Sequence, residues 1–127
     1  MSYRDLKNNI ATVSTLVPSV ASASADGASV DARGYETVTA LVHTGAIVGA
    51  GNFTLKLQDS ANGTDWSDVP SAGLLGAFEA VSTANSVTVV GYIGGKRYVR
   101  AVATKNSGTS LALGVVLVLG TPTQSPV

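Results

Sequence analysis

Alternation of apolar and polar residues with period two organises most of this chain. Phe53, Leu55 and Leu57 interleave with Thr54, Lys56 and Gln58, the clearest half-buried strand in the sequence. Asn62-Gly63 then supplies a turn pair and residues 66–69 return, so 53–69 reads as a hairpin. Residues 35–44 form another strand, with Val38, Ala40 and Val42 on one face and Tyr35, Thr37, Thr39, Leu41 and His43 on the other. Residues 87–93 are apolar and β-branched. Residues 97–104 alternate again, Tyr98, Arg100, Val102 and Thr104 against Val99, Ala101 and Ala103. Residues 110–119 are apolar at both parities, the pattern of a central strand covered on both faces. A turn-rich connection over 70–76 and a short strand over 77–81 complete this part of the chain.

The N-terminal quarter reads differently. Residues 1–9 are polar and predict a short helical turn or a loose end. Residues 10–25 carry no charge and are rich in Val, Thr, Ser and Ala. Their propensity is extended, and Pro18 blocks a helix and disfavours a central strand, which leaves an arm or an edge strand. Asp26-Gly27 and residues 31–34 are turn signals, and glycines punctuate a loop over 45–52. Turn signals recur roughly every ten residues and no stretch holds a helical period. The prediction is an all-β chain: an antiparallel, jelly-roll-like β-sandwich over 31–120, an extended N-terminal arm over 1–30 and a loose tail over 121–127.

Composition adds one constraint. Eight Lys plus Arg balance eight Asp plus Glu in 127 residues, so only 13% of the chain is charged. Globular domains average about 25%. The balance removes bulk attraction to nucleic acid or anionic membrane, and neither is expected as a partner. No apolar run approaches the ~20 residues of a membrane span, and residues 1–7 do not read as a secretory leader, so the chain is expected to stay in the cytoplasm where it is made. With 45% hydrophobic residues and few charges, the surface is expected to be polar through Ser and Thr, or to be covered by other subunits.

Candidate chemistry is sparse. There is no cysteine, which excludes disulfides, thiolate nucleophiles and Cys-based metal sites. His43 is the only histidine and the only candidate base for a Ser-His-Asp arrangement; a surface or interface imidazole is the better reading. Asp59, Asn62, Asp65 and Asp68 crowd the hairpin tip but lack the alternating spacing and terminal Glu of a calcium loop, so they are expected to form an Asx-turn network. Gly45, Gly49 and Gly51 have no Lys-Ser/Thr and no helix after them, as a phosphate loop requires. Lys96, Arg97 and Arg100 form the only basic cluster, too small for nucleic acid but able to meet an acidic protein patch. Trp66 is either a core plug between two sheets or a sugar-stacking platform, and the scarcity of aromatics favours the core. No metal or cofactor is expected, and no enzymatic role.

Three stretches carry a family resemblance. They are the run from Phe53 through Leu55, Leu57, Asp59, Asn62-Gly63 and Asp65-Trp66 to Val69; the run from Gly91-Tyr92-Ile93-Gly94-Gly95 through Lys96-Arg97-Tyr98-Val99 to Arg100; and the closing apolar strand over 112–120. Over about residues 35–120 the chain resembles the small head decoration, or capsid cement, proteins of tailed bacteriophages. That resemblance implies a jelly-roll-like sandwich that binds the outside of an assembled shell as a small oligomer, with no catalytic residues. It implies the major capsid protein as partner, self-association as a homodimer or homotrimer, and a place on the capsid exterior. The contacts expected are Ile10, Val13, Leu16 and Val17, with 10–25 adding a strand to a neighbour's sheet edge, together with Lys96, Arg97 and Arg100. The alternative function is a carbohydrate- or receptor-binding module of a phage tail or fibre, favoured if Trp66 is exposed among tyrosines.

Overall fold

In a computed structural model describing residues 7–78, 80–81 and 84–122, eleven strands form two antiparallel sheets packed face to face. They are β1 (Ala11–Ala21), β2 (Ala25–Asp26), β3 (Val30–Asp31), β4 (Tyr35–Val48), β5 (Asn52–Ser60), β6 (Ser67–Asp68), β7 (Leu74–Leu75), β8 (Ala80–Val81), β9 (Val87–Tyr92), β10 (Tyr98–Ser107) and β11 (Ser110–Pro122). The first sheet has the order β1-β11-β4-β9-β7 and the second β2-β10-β5-β6, with β3 on β10 and β8 on β5. The chain passes between the sheets at every step from strand to strand except β2 to β3 and β5 to β6, which is jelly-roll winding. The expected all-β sandwich is present.

Alternation decides which face each strand buries. Phe53, Leu55 and Leu57 point inward from β5 and pack against Val38, Ala40 and Val42 of β4, Val99, Ala101 and Ala103 of β10, and Leu111 through Leu119 at alternate positions of β11. Each fully buried Leu, Val or Phe contributes about 1.5–3 kcal/mol, so this layer is the main source of stability.

The uncharged segment weighed as arm or edge strand is an edge strand. Residues of β1 pair with β11 from Ala11↔Leu119 to Ala21↔Leu111, and the register shifts between Ser14 and Leu16 and between Leu16 and Ser19. These irregularities blunt the edge, and Pro18 falls within the second, where no ladder hydrogen bond is lost. The first turns Thr15 inward. Its Oγ1 donates to the Ala28 carbonyl (2.7 Å) and accepts from the Ala101 N–H (3.1 Å), while its carbonyl accepts from the Ala28 N–H (2.6 Å). One buried threonine therefore ties the edge of the first sheet to the second. Asp26-Gly27, expected as a turn, instead runs along β10: Asp26 pairs with Val102, and the Gly27 N–H donates to the Ala101 carbonyl (2.7 Å).

Other boundaries move. The strand predicted over 35–44 continues to Val48, past Gly45, because a register shift opposite 111–113 absorbs the irregularity. Leu74–Leu75 adds a short strand where a turn-rich connection was expected, and among the described residues of 77–81 only Ala80–Val81 is strand. Thr121 and Pro122 extend β11; the rest of the predicted tail, and residues 1–6, lie outside the described residues.

Candidate functional site

The outward faces of the two sheets differ in kind. The second sheet carries a charged ladder. Lys56 Nζ lies 3.0 Å from an Asp68 carboxylate oxygen, and Gln58 Nε2 donates to Asp68 (2.8 Å). Arg100 donates from Nε and Nη2 to Gln58 Oε1 (3.0 and 2.7 Å), and its guanidinium lies over the Trp66 ring, 4.5 Å from the centroid. The Gln58 and Lys56 contacts hold the Asp68 carboxyl below its ordinary range. Trp66 is thus half-buried on this outer face, not between the sheets as expected. The core is already filled by aliphatic side chains, and β6 pairs only at Ser67 and Asp68, which leaves Trp66 at the hairpin tip. Its tyrosine neighbours make no open platform: Tyr92 is buried, and Arg97 lies over Tyr98, 4.9 Å from the ring centre.

The four polar residues expected to crowd the hairpin tip separate into three places. Asn62 Oδ1 accepts from the Thr64 and Asp65 N–H groups (both 2.9 Å), the expected Asx-turn network, and Asn62 Nδ2 donates to Asp65 (2.8 Å). Asp68 lies in the ladder. Asp59 points inward and is buried; it accepts from the Tyr92 hydroxyl (2.7 Å), with Lys96 Nζ 3.7 Å away. Burial first, and then the bond to Asp59, push the Tyr92 phenol up to about 12. Among the described residues no acidic or histidine cluster has metal-binding geometry.

The basic cluster is spent largely within the chain. Arg97 forms a two-pronged ion pair with Asp31 (2.9 and 2.7 Å), which clips the β3–β4 turn to the β9–β10 turn. Hydrogen bonding from Arg97 lowers the Asp31 carboxyl to about 2. Lys96 faces Asp59, and Arg100 serves the ladder. A cleft of about 690 Å³ between these turns is lined by Arg33, Tyr35, Glu36, Ile93 and Arg97 among others. Its Arg97 is already paired with Asp31.

The first sheet is the opposite. Across β1, β11, β4, β9 and β7 the only Asp, Glu, Lys or Arg is Glu36, at the start of β4, and the only histidine is His43. Its outward residues include Leu41, His43, Val87, Val89, Ala112, Val116 and Val118. Val20, Leu75, Val87 and Val89 are 69%, 61%, 55% and 57% exposed. The apolar doubling of residues 110–119 predicted cover on both faces; this chain covers only the inner one. Of the contacts expected from sequence, Val13 and Val17 stand out from the β1 edge, Val17 72% exposed, whereas Leu16 packs against the core and Ile10 is half-buried. They belong to a different element from Lys96, Arg97 and Arg100, and nothing joins the two groups in one site. The uncharged face itself was missed, because it needs strand order as well as sequence.

No protein-family model and no curated protein matches the chain. Solved structures share the fold. The PBSX exported protein XepA aligns with a TM-score of 0.59 at 17% identity over 87% of this chain and 37% of its own. The SPBc2 prophage-derived protein YomS aligns at 0.50 and 14% identity over 87% of this chain and 93% of its own. A structure of infectious bursal disease virus aligns at 0.51 and 12% identity over 92% of this chain and 33% of its own. The chain thus spans about a third of the length of the first and the third.

Proposed function

We infer that this chain is a non-enzymatic virion protein of a tailed phage that binds the outer surface of the capsid and stabilises it. The observation that carries this reading is the concentration of exposed apolar side chains on one sheet, charged only at Glu36, and on its edge strand. Exposed apolar surface of that extent marks a protein contact, and the polar groups elsewhere are engaged in holding the fold. The fold likeness to two phage-derived proteins and a virus structure supports the reading. A shell component of this kind acts by adding buried area between neighbouring subunits. Many copies multiply a modest energy per site, so disassembly slows. Val13 and Val17, projecting from an edge with no charge, are the side chains assigned to the shell.

The test is co-sedimentation of the purified chain with intact shells that lack it, and with isolated tails. Saturable pelleting with shells alone is expected. Pelleting with tails and not shells would overturn the assignment and favour a tail or fibre module.

A further inference from the structure

We propose that the outward face of the five-stranded sheet is a self-association surface, covered by the same face of a second copy of this chain in a two-fold dimer.

Relief and charge both point to a second copy. On the β1–β11 side of the face, Pro18, Val20, Leu41, His43, Gly114 and Val116 line a groove of about 560 Å³. On the other side Val87, Val89 and Leu75 stand up as a ridge. Ridge and groove lie at the same height along the strands. Val116, Leu41 and Val89 form one cross-strand row, and Gly114, His43 and Val87 form the next but one. The strand order puts β4 in the middle. A two-fold axis lying between two such faces and parallel to β4 reverses left and right but not height. It therefore sets the ridge of each copy over the groove of the other, with the sheets at about the 10 Å of ordinary face-to-face packing.

An isologous contact must also tolerate itself. A face with charges meets its own charges; this one has none to repel, since Glu36 sits at the end of β4. Size is adequate. At about 4.8 Å between strands and about 3.3 Å per residue, the paired stretches of β1, β11, β4 and β9 with the two residues of β7 cover about 600 Å². Two copies then bury about 1,200 Å², the lower end of specific interfaces. The dimer leaves both charged ladders in water and both β1 edges at its flanks.

The experiment is run on the free chain and is independent of the shell-binding reading, which a monomer could also satisfy. Sedimentation velocity is expected to show a dimer at about 100 μM, and Val89→Asp to weaken it at least about tenfold with the β-sheet circular dichroism retained. Because the chain has no cysteine, Leu41→Cys on the central strand gives a second reading that needs no disruption. It should cross-link with a short bis-maleimide, while Thr54→Cys on the opposite sheet should not. A monomer at about 100 μM, a folded Val89→Asp dimer of unchanged affinity, or equal cross-linking at both cysteines would each overturn the proposal.

Discussion

Three side-chain contacts fix how the sheets and turns meet, and each has a measurable consequence. Tyr92 and Asp59 satisfy one another at the edge of the core. Tyr92→Phe leaves a buried carboxylate without its donor and is expected to cost about 1–3 kcal/mol in urea unfolding. The phenol's raised value also sets a pH dependence. Its contribution is complete below the ordinary phenol value of 10.0 and is lost as pH rises through about 12. Phenolate absorbance of the folded chain should show one tyrosine titrating late. Asp31 behaves in the opposite sense: its contribution is present above the ordinary 3.8 and is lost as pH falls through about 2. The pair is half-exposed, so the stability involved is small. Carboxyl NMR is the better readout: Arg97→Ala should return Asp31 towards 3.8. Thr15 is the third contact. Thr15→Val keeps the shape and removes both side-chain hydrogen bonds between the sheets, for about 1–3 kcal/mol.

Elements show which parts of the fold the sequence could express. The strand of Phe53, Leu55 and Leu57 was legible because period two and burial on one face coincide there, and Asn62-Gly63 carries its own turn chemistry. The role of Thr15 was not legible: in an uncharged run of Val, Thr and Ser, nothing local distinguishes the residue that turns inward. Trp66 was misplaced because aromatic scarcity argues for the core, while its actual partner, Arg100, is brought to it by strand register. Close approaches are equally silent in sequence. A Cβ on Gly27 would lie 2.5 Å from both the Ala101 carbonyl oxygen and Thr15 Oγ1, and one on Gly114 would lie 2.8 Å from Pro18 Cγ. Gly114→Ala must push Pro18 and the β1 edge away from β11. We expect a loss of about 1–3 kcal/mol and faster amide exchange confined to β1, read by hydrogen exchange.

On the scale of the whole molecule, the low charge of the chain resolves into a partition. The sequence shows how few charges there are; strand order shows that all but Glu36 of those on strands fall on the second sheet. One sheet turns its charges to water and the other turns apolar side chains outward. That asymmetry is what a shell component requires, since its contact surfaces are buried for the life of the particle. On the proposed function, the chain makes a shell harder to take apart. The most direct measurement is the temperature at which shells lacking the chain disassemble, followed by light scattering before and after saturation with it. Disassembly is expected at a higher temperature with the chain bound, and most of that shift is expected to be lost with the double variant Val13→Asp, Val17→Asp. An unchanged disassembly temperature at full occupancy would contradict that function.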